Sequence, residues 1–268
     1  MGELSATGVL AQRSDPDRFR CTLFAPPNKR EALWCLLAFN NELARAREVV
    51  SQPTLALIRL QWWRDMIAEV AAGRPARRHE VAEPLAALLR SGTLAAEDLL
   101  PLIDAREAEA EEIETRAGFD AYLRGTAGGL AVAMARVLDA PVATLPAVQE
   151  AGALYGLAGV MRSLPAQAAQ ERCLLPREML PGEVFEPFSD EVAAVVRQLA
   201  TEALPRVEAV RQQLRALPGG AVAAVLPLVL AARDLRRLSA RGTPDWPPVP
   251  RGAGDRLAVS WAGLRGKL

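Results

Sequence analysis

The pattern of apolar and polar positions is clearest in the segment from Ala38 to Asp65 and in the residues just before it. Apolar side chains recur there at three- and four-residue spacing, at Leu36, Phe39, Leu43, Ala46 and Val50. This spacing predicts a helix that turns one apolar face toward a core. Asn41, Arg45 and Glu48 fall together on another face, which makes that face a candidate surface for a ligand.

Helical patterns continue along the rest of the chain, separated by proline and glycine breaks. Pro53 ends the first central helix, predicted over 29–50, and a second follows over 54–72. Further helices are predicted around 18–24, 84–90, 95–114, 119–138, 145–164, 189–217, 221–238 and 257–264. We find no stretch with the period-two alternation of a strand. The sequence therefore predicts an all-α, single-domain bundle of roughly ten helices without a repeat of fixed period.

Composition divides the chain into three parts. Residues 1–15 form a polar lead, residues 16–238 carry the main helical patterns, and residues 239–268 comprise a proline- and glycine-rich segment with a short final helix. The helices predicted over 119–138 and 145–164 are rich in glycine and alanine at helical spacing. Small residues in this arrangement indicate that the two helices make close interhelical contacts.

Charge and composition narrow the class of protein. The 268 residues are 50% hydrophobic, with 32 basic and 32 acidic side chains, so the chain can bury a sizeable core and lacks the basic bias of a nucleic-acid binder. Cys21, Cys35 and Cys173 are odd in number and far apart, which fits buried thiols in a reducing compartment. We find no secretory signal and no run of about 18 apolar residues. We therefore expect a cytoplasmic protein, soluble or peripheral to the inner membrane.

Several conspicuous groups have an interpretation that needs no ligand. Of Trp62 and Trp63, one is expected in the core and the other on a cavity wall or the surface. His79 lies among charged residues and is expected in a solvated loop. The acidic run from Asp104 to Glu114, with Arg106, has the pattern of a solvated helix face.

Several short motifs resemble the squalene and phytoene synthase family over most of the chain. They are Arg18-Phe19, Arg30-Glu31-Ala32-Leu33, Ala38-Phe39, the stretch from Gly152 to Leu164, and Arg172-Cys173-Leu174-Leu175-Pro176. The resemblance implies an isoprenoid-synthase-like fold. It also implies a reaction in which aspartates on two helices hold magnesium ions that clamp the diphosphates of prenyl substrates, because Mg²⁺ prefers carboxylate and phosphate oxygens.

This chain departs from the family at both metal-binding motifs. The first motif falls on residues 44–48, where Glu48 alone is acidic and Arg45 places positive charge where a cation would sit. The second falls on Gly159, Ser163 and Gln167, none of which is acidic. A single carboxylate cannot assemble a magnesium cluster with two diphosphates. We therefore expect no metal ligand, no catalytic residue and no cofactor, and Mg²⁺ only if the chain is an active transferase.

A more specific resemblance is to the branch of the family that includes the mitochondrial assembly factor of respiratory complex I and its bacterial relatives. It rests on Ala38-Phe39-Asn40, Glu42-Leu43-Ala44, Val50-Ser51, Arg59-x-Gln61-x-Trp63 and Ser260-Trp261. This resemblance implies a pseudoenzyme that aids assembly of a respiratory complex and has a subunit of that complex as its partner.

Candidate ligand-binding residues come from the polar face of the first central helix, from the branch motifs and from positions that are basic in the family. They are Arg30, Asn41, Arg45, Glu48, Gln61, Arg162 and Arg172. An arginine can grip a phosphate through paired hydrogen bonds, but it can equally belong to a structural ion pair. Glu42, Arg45 and Glu48 could also satisfy one another across one turn, at about 0.2–0.5 kcal/mol per pair.

Three functional hypotheses follow. The first is a non-catalytic protein whose former substrate cavity is filled or reused for an isoprenoid-like or anionic ligand. The second is an active prenyl-diphosphate transferase with a metal-poor site formed by Arg30, Arg45, Arg162 and Arg172. The third is a helical interaction module whose cavity is closed by Trp and Leu side chains. An open apolar cavity with arginines at its mouth favours ligand binding, and a filled one favours a scaffold.

Overall fold

The computed structural model describes residues 4–50, 52–180, 182, 185–247 and 249–268. These residues form thirteen α-helices and no β-strand, which confirms the all-α class. The helices are α1 Ala6–Ser14, α2 Pro16–Thr22, α3 Arg30–Glu48, α4 Pro53–Ala71, α5 Ala82–Arg90, α6 Ala96–Arg106, α7 Arg116–Leu123, α8 Gly129–Val137, α9 Leu145–Arg162, α10 Leu164–Ala168, α11 Asp190–Gln213, α12 Pro227–Arg241 and α13 Ala253–Arg265. Helices as short as α10 carry too little periodicity to be seen in the sequence.

The two central helices pack as the apolar pattern predicts. Leu36, Phe39, Leu43 and Ala46 are buried on α3, whereas Val50 lies beyond the end of the helix and is half-buried. Each large side chain buried in this way contributes about 1.5–3 kcal/mol. On α4, the ring of Trp63 is buried and meets the ring of Phe39 edge-on, with 5.2 Å between the ring centroids. Trp62 is half-buried beside Trp63. The expectation of one core tryptophan and one outside the core is confirmed.

A π-helical turn over residues 124–128 joins α7 to α8, so that one continuous helical segment packs against α9. The contact is close because it involves backbone atoms: a Cβ added to Gly152 would lie 2.4 Å from the carbonyl oxygen of Ala127 and 2.9 Å from Cα of Gly128. The close approach predicted from the small residues is thus present. The π-helical turn also brings Thr126 and Ala127 to the wall of a cavity.

The predicted polar lead at residues 1–15 contains a helix that packs on the body of the fold. Residues 1–3 lie outside the described part of the chain, as does Ser51. Ser5 caps α1 by accepting a hydrogen bond from the backbone N–H of Gly8 at 3.0 Å, and the Thr7 hydroxyl donates to Glu31 at 2.6 Å. Ala11 is fully buried. The lead was missed as a helix because its contact face consists of small residues.

The C-terminal part of the chain packs back onto the bundle. After α12, the proline- and glycine-rich segment leads to α13, which is longer than the predicted final helix and buries Val259 and Ala262. One hydrophobic cluster includes residues from α1 through α13. Within the described residues, no helix has the length and apolar character needed to cross a membrane.

The three cysteines are free thiols, as expected. Cys21 and Cys35 are buried and Cys173 is half-buried. Burial raises the pKa of Cys35 to about 12 and that of Cys173 to about 11, so both thiols stay protonated near neutral pH. These side chains therefore behave as small apolar groups rather than nucleophiles.

Candidate functional site

A cavity of about 270 Å³ lies among α2, the end of α3, the end of α6, the α7–α8 segment and α9. The segment that follows α9 closes its remaining side. Apolar lining comes mainly from Leu123, Ala127, Val160 and Leu174. Its polar lining consists of Arg18, Glu48, Arg106, Glu109, Tyr122, Thr126, Tyr155, Ser163, Gln167, Gln170 and Arg172.

A buried carboxylate, Glu109, is held by three donors on the cavity wall. The Tyr122 hydroxyl donates to its Oε1 at 2.7 Å, and Arg106 donates to the same oxygen. Arg172 approaches Oε2 at 3.5 Å, while a second nitrogen of Arg106 donates to Oδ1 of Asn40 at 3.2 Å. We call these five residues the Glu109 cluster. Two guanidinium groups around one carboxylate leave the cluster with a net positive charge.

The Glu109 cluster corrects the sequence-based interpretation of this region. The helix predicted over 95–114 ends at Arg106, and a 3-10 turn over Glu107–Glu109 follows. This turn carries Glu109 inward, whereas Asp104 and Glu107 remain exposed and accept hydrogen bonds from Arg64. The prediction of a solvated helix face is therefore wrong for Arg106 and Glu109.

One signal in the sequence could have pointed to this cavity. The chain has two tyrosines, and both Tyr122 and Tyr155 line it. Burial raises the pKa of Tyr122, and the neighbouring charge of Glu109 raises it further. The phenol therefore keeps its proton and donates a hydrogen bond to the carboxylate. The guanidinium of Arg18 lies over the Tyr155 ring, 4.6 Å from its centroid.

Glu48 lies at the rim of the cavity, exposed to solvent. Its pKa is raised above the usual value, first because the surrounding protein removes part of its hydration and second because Glu109 carries a like charge nearby. Arg172, Arg106 and Arg45 oppose this shift without cancelling it. The carboxyl group of Glu48 therefore takes up a proton more readily than an ordinary glutamate.

Another part of the cavity lining is polar, but its polar atoms already make hydrogen bonds within the chain. The amide of Gln167 is buried; its nitrogen donates to the Val160 carbonyl at 3.0 Å, and its oxygen accepts from the Leu174 backbone N–H at 2.9 Å. Gln167 thereby fixes the loop that carries Arg172. Gly159, by contrast, has open space where a side chain would project, because a Cβ there would meet no atom within 4 Å.

The positions of the two family motifs meet at this cavity, and their side chains do not suit magnesium. Glu48, Gly159, Ser163 and Gln167 all line it. Among them Glu48 supplies the single carboxylate, while the amide oxygen of Gln167 is already occupied. Across the described residues, no cluster of three or more His, Cys, Asp or Glu side chains could hold a metal ion. Mg²⁺ prefers several oxygen ligands in near-octahedral geometry, and this set does not provide them.

The structure brings two of the seven candidate residues to the cavity, Glu48 and Arg172. The other five lie outside its lining. Two of them are arginines in ion pairs: Arg45 is exposed and lies 3.6 Å from Glu42, and Arg162 lies 3.5 Å from Asp234. Arg30 donates a hydrogen bond to the Ala25 carbonyl at 3.0 Å, and Gln61 donates one to Asp65 at 2.7 Å on the exposed face of α4. Asn41 is half-buried beside Asn40.

Arg162 belongs instead to a separate ion network that joins α2, α9, α12 and α13. Arg251 is its centre, because it donates to Asp17 at 2.8 Å and to Asp234 at 2.7 Å and lies 3.7 Å from Asp255. Hydrogen bonds from Arg237 and then Arg233 lower the pKa of Asp255 to about 2. We call these residues the Arg251 network. It ties the C-terminal segment to the bundle.

His79 is less exposed than a solvated loop would make it. Its imidazole packs against the rings of Trp62 and Trp63, at centroid distances of 5.6 and 5.2 Å, and Nε2 lies 3.8 Å from Glu42. His79 does lie in a loop, as expected, but its side chain is half-buried rather than fully solvated. Trp62 and Trp63, on the helix that precedes His79, provide the surface that covers it.

Two solved synthases of the squalene type have the same fold as this chain. A dehydrosqualene synthase in complex with ligand superposes with a TM-score of 0.77 at 12% identity, covering 97% of this chain and 94% of that one. Squalene synthase HpnC from Alicyclobacillus acidocaldarius superposes with a TM-score of 0.74 at 16% identity, covering 89% and 94%. At these identities the likeness establishes the fold, which is the isoprenoid-synthase-like fold predicted.

Similar sequences confirm the predicted branch. NADH dehydrogenase (ubiquinone) complex I, assembly factor 6, of Bos taurus is 26% identical over 239 residues, covering 85% of this chain and 72% of that protein. The Homo sapiens protein of the same name is 24% identical over the same lengths. Residues 11–261 match the squalene/phytoene synthase family. With nearly the whole chain matched and the fold in agreement, this protein belongs to the squalene/phytoene synthase family.

Proposed function

We propose that this chain is a non-catalytic member of its family, that its cavity binds an isoprenoid-like or anionic ligand, and that it helps a respiratory complex assemble. The assembly role rests on the similarity to complex I assembly factor 6 of Bos taurus and Homo sapiens. The proposal includes a cytoplasmic location at or near the inner membrane and a subunit of the complex as partner. It needs no cofactor.

The non-catalytic proposal rests on the two carboxyl groups that line the cavity, since neither is suited to bind a metal ion. Glu109 is neutralised by Arg106 and Arg172 and capped by Tyr122, so its oxygens are already occupied. Glu48 remains, and its raised pKa weakens it further as a metal ligand, because a ligand must give up its proton. One carboxylate does not bridge magnesium ions to two diphosphates.

The size and lining of the cavity support ligand binding over a closed helical module. Its volume of about 270 Å³ is close to the lower end of small-molecule pockets, about 300 Å³. Arg18, Arg106 and Arg172 line it together with two carboxylates, so the formal charge is positive. Apolar walls beside guanidinium groups suit a ligand with an anionic head and an apolar tail.

The alternative is an active prenyl-diphosphate transferase with a metal-poor diphosphate site. The three cavity arginines favour it, although of the arginines first considered for such a site Arg172 alone lines the cavity. Arg18 is paired with Asp15 at 2.9 Å, and the other two with Glu109. An anionic head group, whether of a substrate or of a ligand that is only bound, would have to share these arginines with Asp15 and Glu109.

Binding without metal tests the ligand proposal. Farnesyl diphosphate, farnesol and pyrophosphate are titrated by calorimetry in the presence of a chelator. We expect farnesyl diphosphate to bind, and Arg172→Gln to weaken it at least about tenfold, since a hydrogen bond to a charged group contributes about 1.5–3 kcal/mol. Arg45→Gln is the matched control, because Arg45 lies outside the cavity lining. Absence of binding by all three probes, or equal effects of the two variants, contradicts the ligand proposal.

Deletion and complementation test the assembly role. We expect deletion of the gene in the source organism to lower the amount of complex I on native gels, and the intact chain to restore it. Gly159→Phe projects a ring into the open space beside Gly159 and should fail to restore assembly if a ligand is required. Normal complex I after deletion contradicts the assembly role, whereas full rescue by Gly159→Phe contradicts the need for a ligand.

A further inference from the structure

The last helix exposes a ridge of large apolar side chains. Leu257, Trp261 and Leu264 are 68%, 64% and 79% exposed. They follow one another at four- and three-residue spacing, so they project from the same side of α13. The opposite side is buried, and Gly263 lies against the Phe24 ring. We call Leu257, Trp261 and Leu264 the α13 ridge. It is exposed because the other face of the helix is the one that packs on the bundle.

Grooves adjoin α13 at two places. One, of about 390 Å³, lies between α2 and α13 and has a mainly apolar lining that includes Leu23, Phe24, Leu230 and Val259. The other, of about 330 Å³, is bordered by Trp261, Leu214 and basic side chains. Neither groove shares a lining residue with the central cavity. This surface is therefore independent of the proposed ligand site.

The charges around the α13 ridge are predominantly positive. Exposed cations surround it at Arg215, Arg256, Arg265 and Lys267. In the described part of the chain none of the four makes an ion pair. The carboxylates in the groove linings, Asp17 and Asp255, both belong to the Arg251 network. Arg265 also lies over the Trp261 ring, 5.7 Å from its centroid. A surface whose cations have no carboxylate partner, and whose carboxylates are already paired, complements a negatively charged partner.

We propose that the α13 ridge docks on the surface of an anionic lipid bilayer. The tryptophan and leucines enter the boundary between head groups and acyl chains, and the four cations contact lipid phosphates. Tryptophan with leucine on one side and arginine or lysine at the flanks is typical of helices that lie in a membrane interface. The 13 residues of α13 span about 20 Å, too short for the roughly 30 Å hydrocarbon core, so the helix lies along the surface.

Vesicle sedimentation with the full chain tests this proposal. Phosphatidylcholine vesicles with and without phosphatidylglycerol are compared at low and high salt. We expect binding to the anionic vesicles, weakened by salt, and little binding to phosphatidylcholine alone. Arg256→Gln with Arg265→Gln should weaken it about fivefold per cation removed. Trp261→Ser with Leu264→Ser should abolish it, whereas Val142→Ser, at an exposed apolar position on a different element, should leave it unchanged.

Unfolding curves of each variant show whether it still folds. Because the substituted side chains are exposed, the free energy of unfolding should stay within about 0.5 kcal/mol of that of the natural chain. Equal binding to both vesicle types overturns the proposal, as does binding that survives the ridge substitutions. Absence of vesicle binding also overturns it. If the intact chain then self-associates in solution and the ridge variant does not, the ridge is an interface for a second copy of the chain.

Discussion

The hydroxyl oxygen of Tyr122 lies 2.7 Å from Oε1 of Glu109, and both residues are buried. The hydrogen bond joins α7 to the turn after α6, and the two arginines beside Glu109 complete its environment. We propose that a carboxylate held in this way acts as a structural group. It lines the cavity at which the positions of the two family motifs meet.

Substitution of Glu109 should therefore destabilise the fold strongly. Glu109→Gln leaves Arg106 and Arg172 without a counter-charge in a mostly buried place, so we expect a loss of about 3–5 kcal/mol in the free energy of unfolding. Tyr122→Phe removes one hydrogen bond and should cost about 1–2 kcal/mol. Urea unfolding at neutral pH measures the stability of both variants. If Glu109→Gln left the free energy of unfolding unchanged, the structural role of Glu109 would be refuted.

The close approach of α9 to the π-helical turn gives a second prediction. Gly152→Ala places a methyl group 2.4 Å from the Ala127 carbonyl oxygen and should cost about 1–3 kcal/mol. Gly159→Ala on the same helix meets no neighbour and should stabilise by up to about 1 kcal/mol, since alanine favours the helix more than glycine does. Thermal unfolding of the pair separates packing from helix propensity. Equal losses would contradict the close contact.

The Arg251 network makes the free energy of unfolding depend on pH in the acid range. The pKa of Asp255 is lowered to about 2, so its contribution is present above the usual aspartate pKa and is lost as the pH falls toward 2. Asp255→Asn should cost about 2–4 kcal/mol at pH 7, and the difference from the natural chain should shrink below about pH 4. Asp245→Asn, which removes an exposed pair with Arg241, should cost less than about 1 kcal/mol at any pH. A pH-independent loss in the Asp255 variant would contradict this account.

Glu48 should show the opposite dependence. Its pKa is raised in the folded chain, so the protonated form is favoured and stability is lost as the pH rises through the raised pKa. Glu48→Gln should thus be slightly more stable than the natural chain at neutral pH, with the gain vanishing in acid. Hydrogen bonds from Arg116 and then Gln198 lower the pKa of Glu202, so Glu202→Gln should be slightly less stable at neutral pH. Denaturant unfolding across the pH range measures the free energy of unfolding of both variants. A change in the same direction for Glu48→Gln and Glu202→Gln would contradict the opposite pKa shifts of the two residues.

The sequence predicted the helices whose contacts are local. The apolar face of α3 and the glycine-rich contact of α9 follow from spacing alone, because each depends on residues three or four apart. Helical spacing placed Glu48 among the candidates and the family resemblance placed Arg172 there, and both line the cavity.

The Glu109 cluster depends on contacts that sequence spacing cannot reveal. After α6 the chain turns inward, and the backbone carbonyls of Ile113 and Glu114 accept hydrogen bonds from Arg177 and Glu178, more than sixty residues away. The local sequence pattern predicts that the acidic run is exposed to solvent, because no residue near it in the sequence indicates these backbone hydrogen bonds. The position of Arg162 outside the cavity has a similar reason, since its partner Asp234 is on α12.

We propose that the cavity cannot assemble magnesium ions around prenyl diphosphates. The most direct measurement is release of pyrophosphate from farnesyl or geranylgeranyl diphosphate by the purified chain in Mg²⁺ buffer, with and without a chelator. We predict no release above that of buffer alone. Release that depends on Mg²⁺ and stops when the chelator is added would contradict the account.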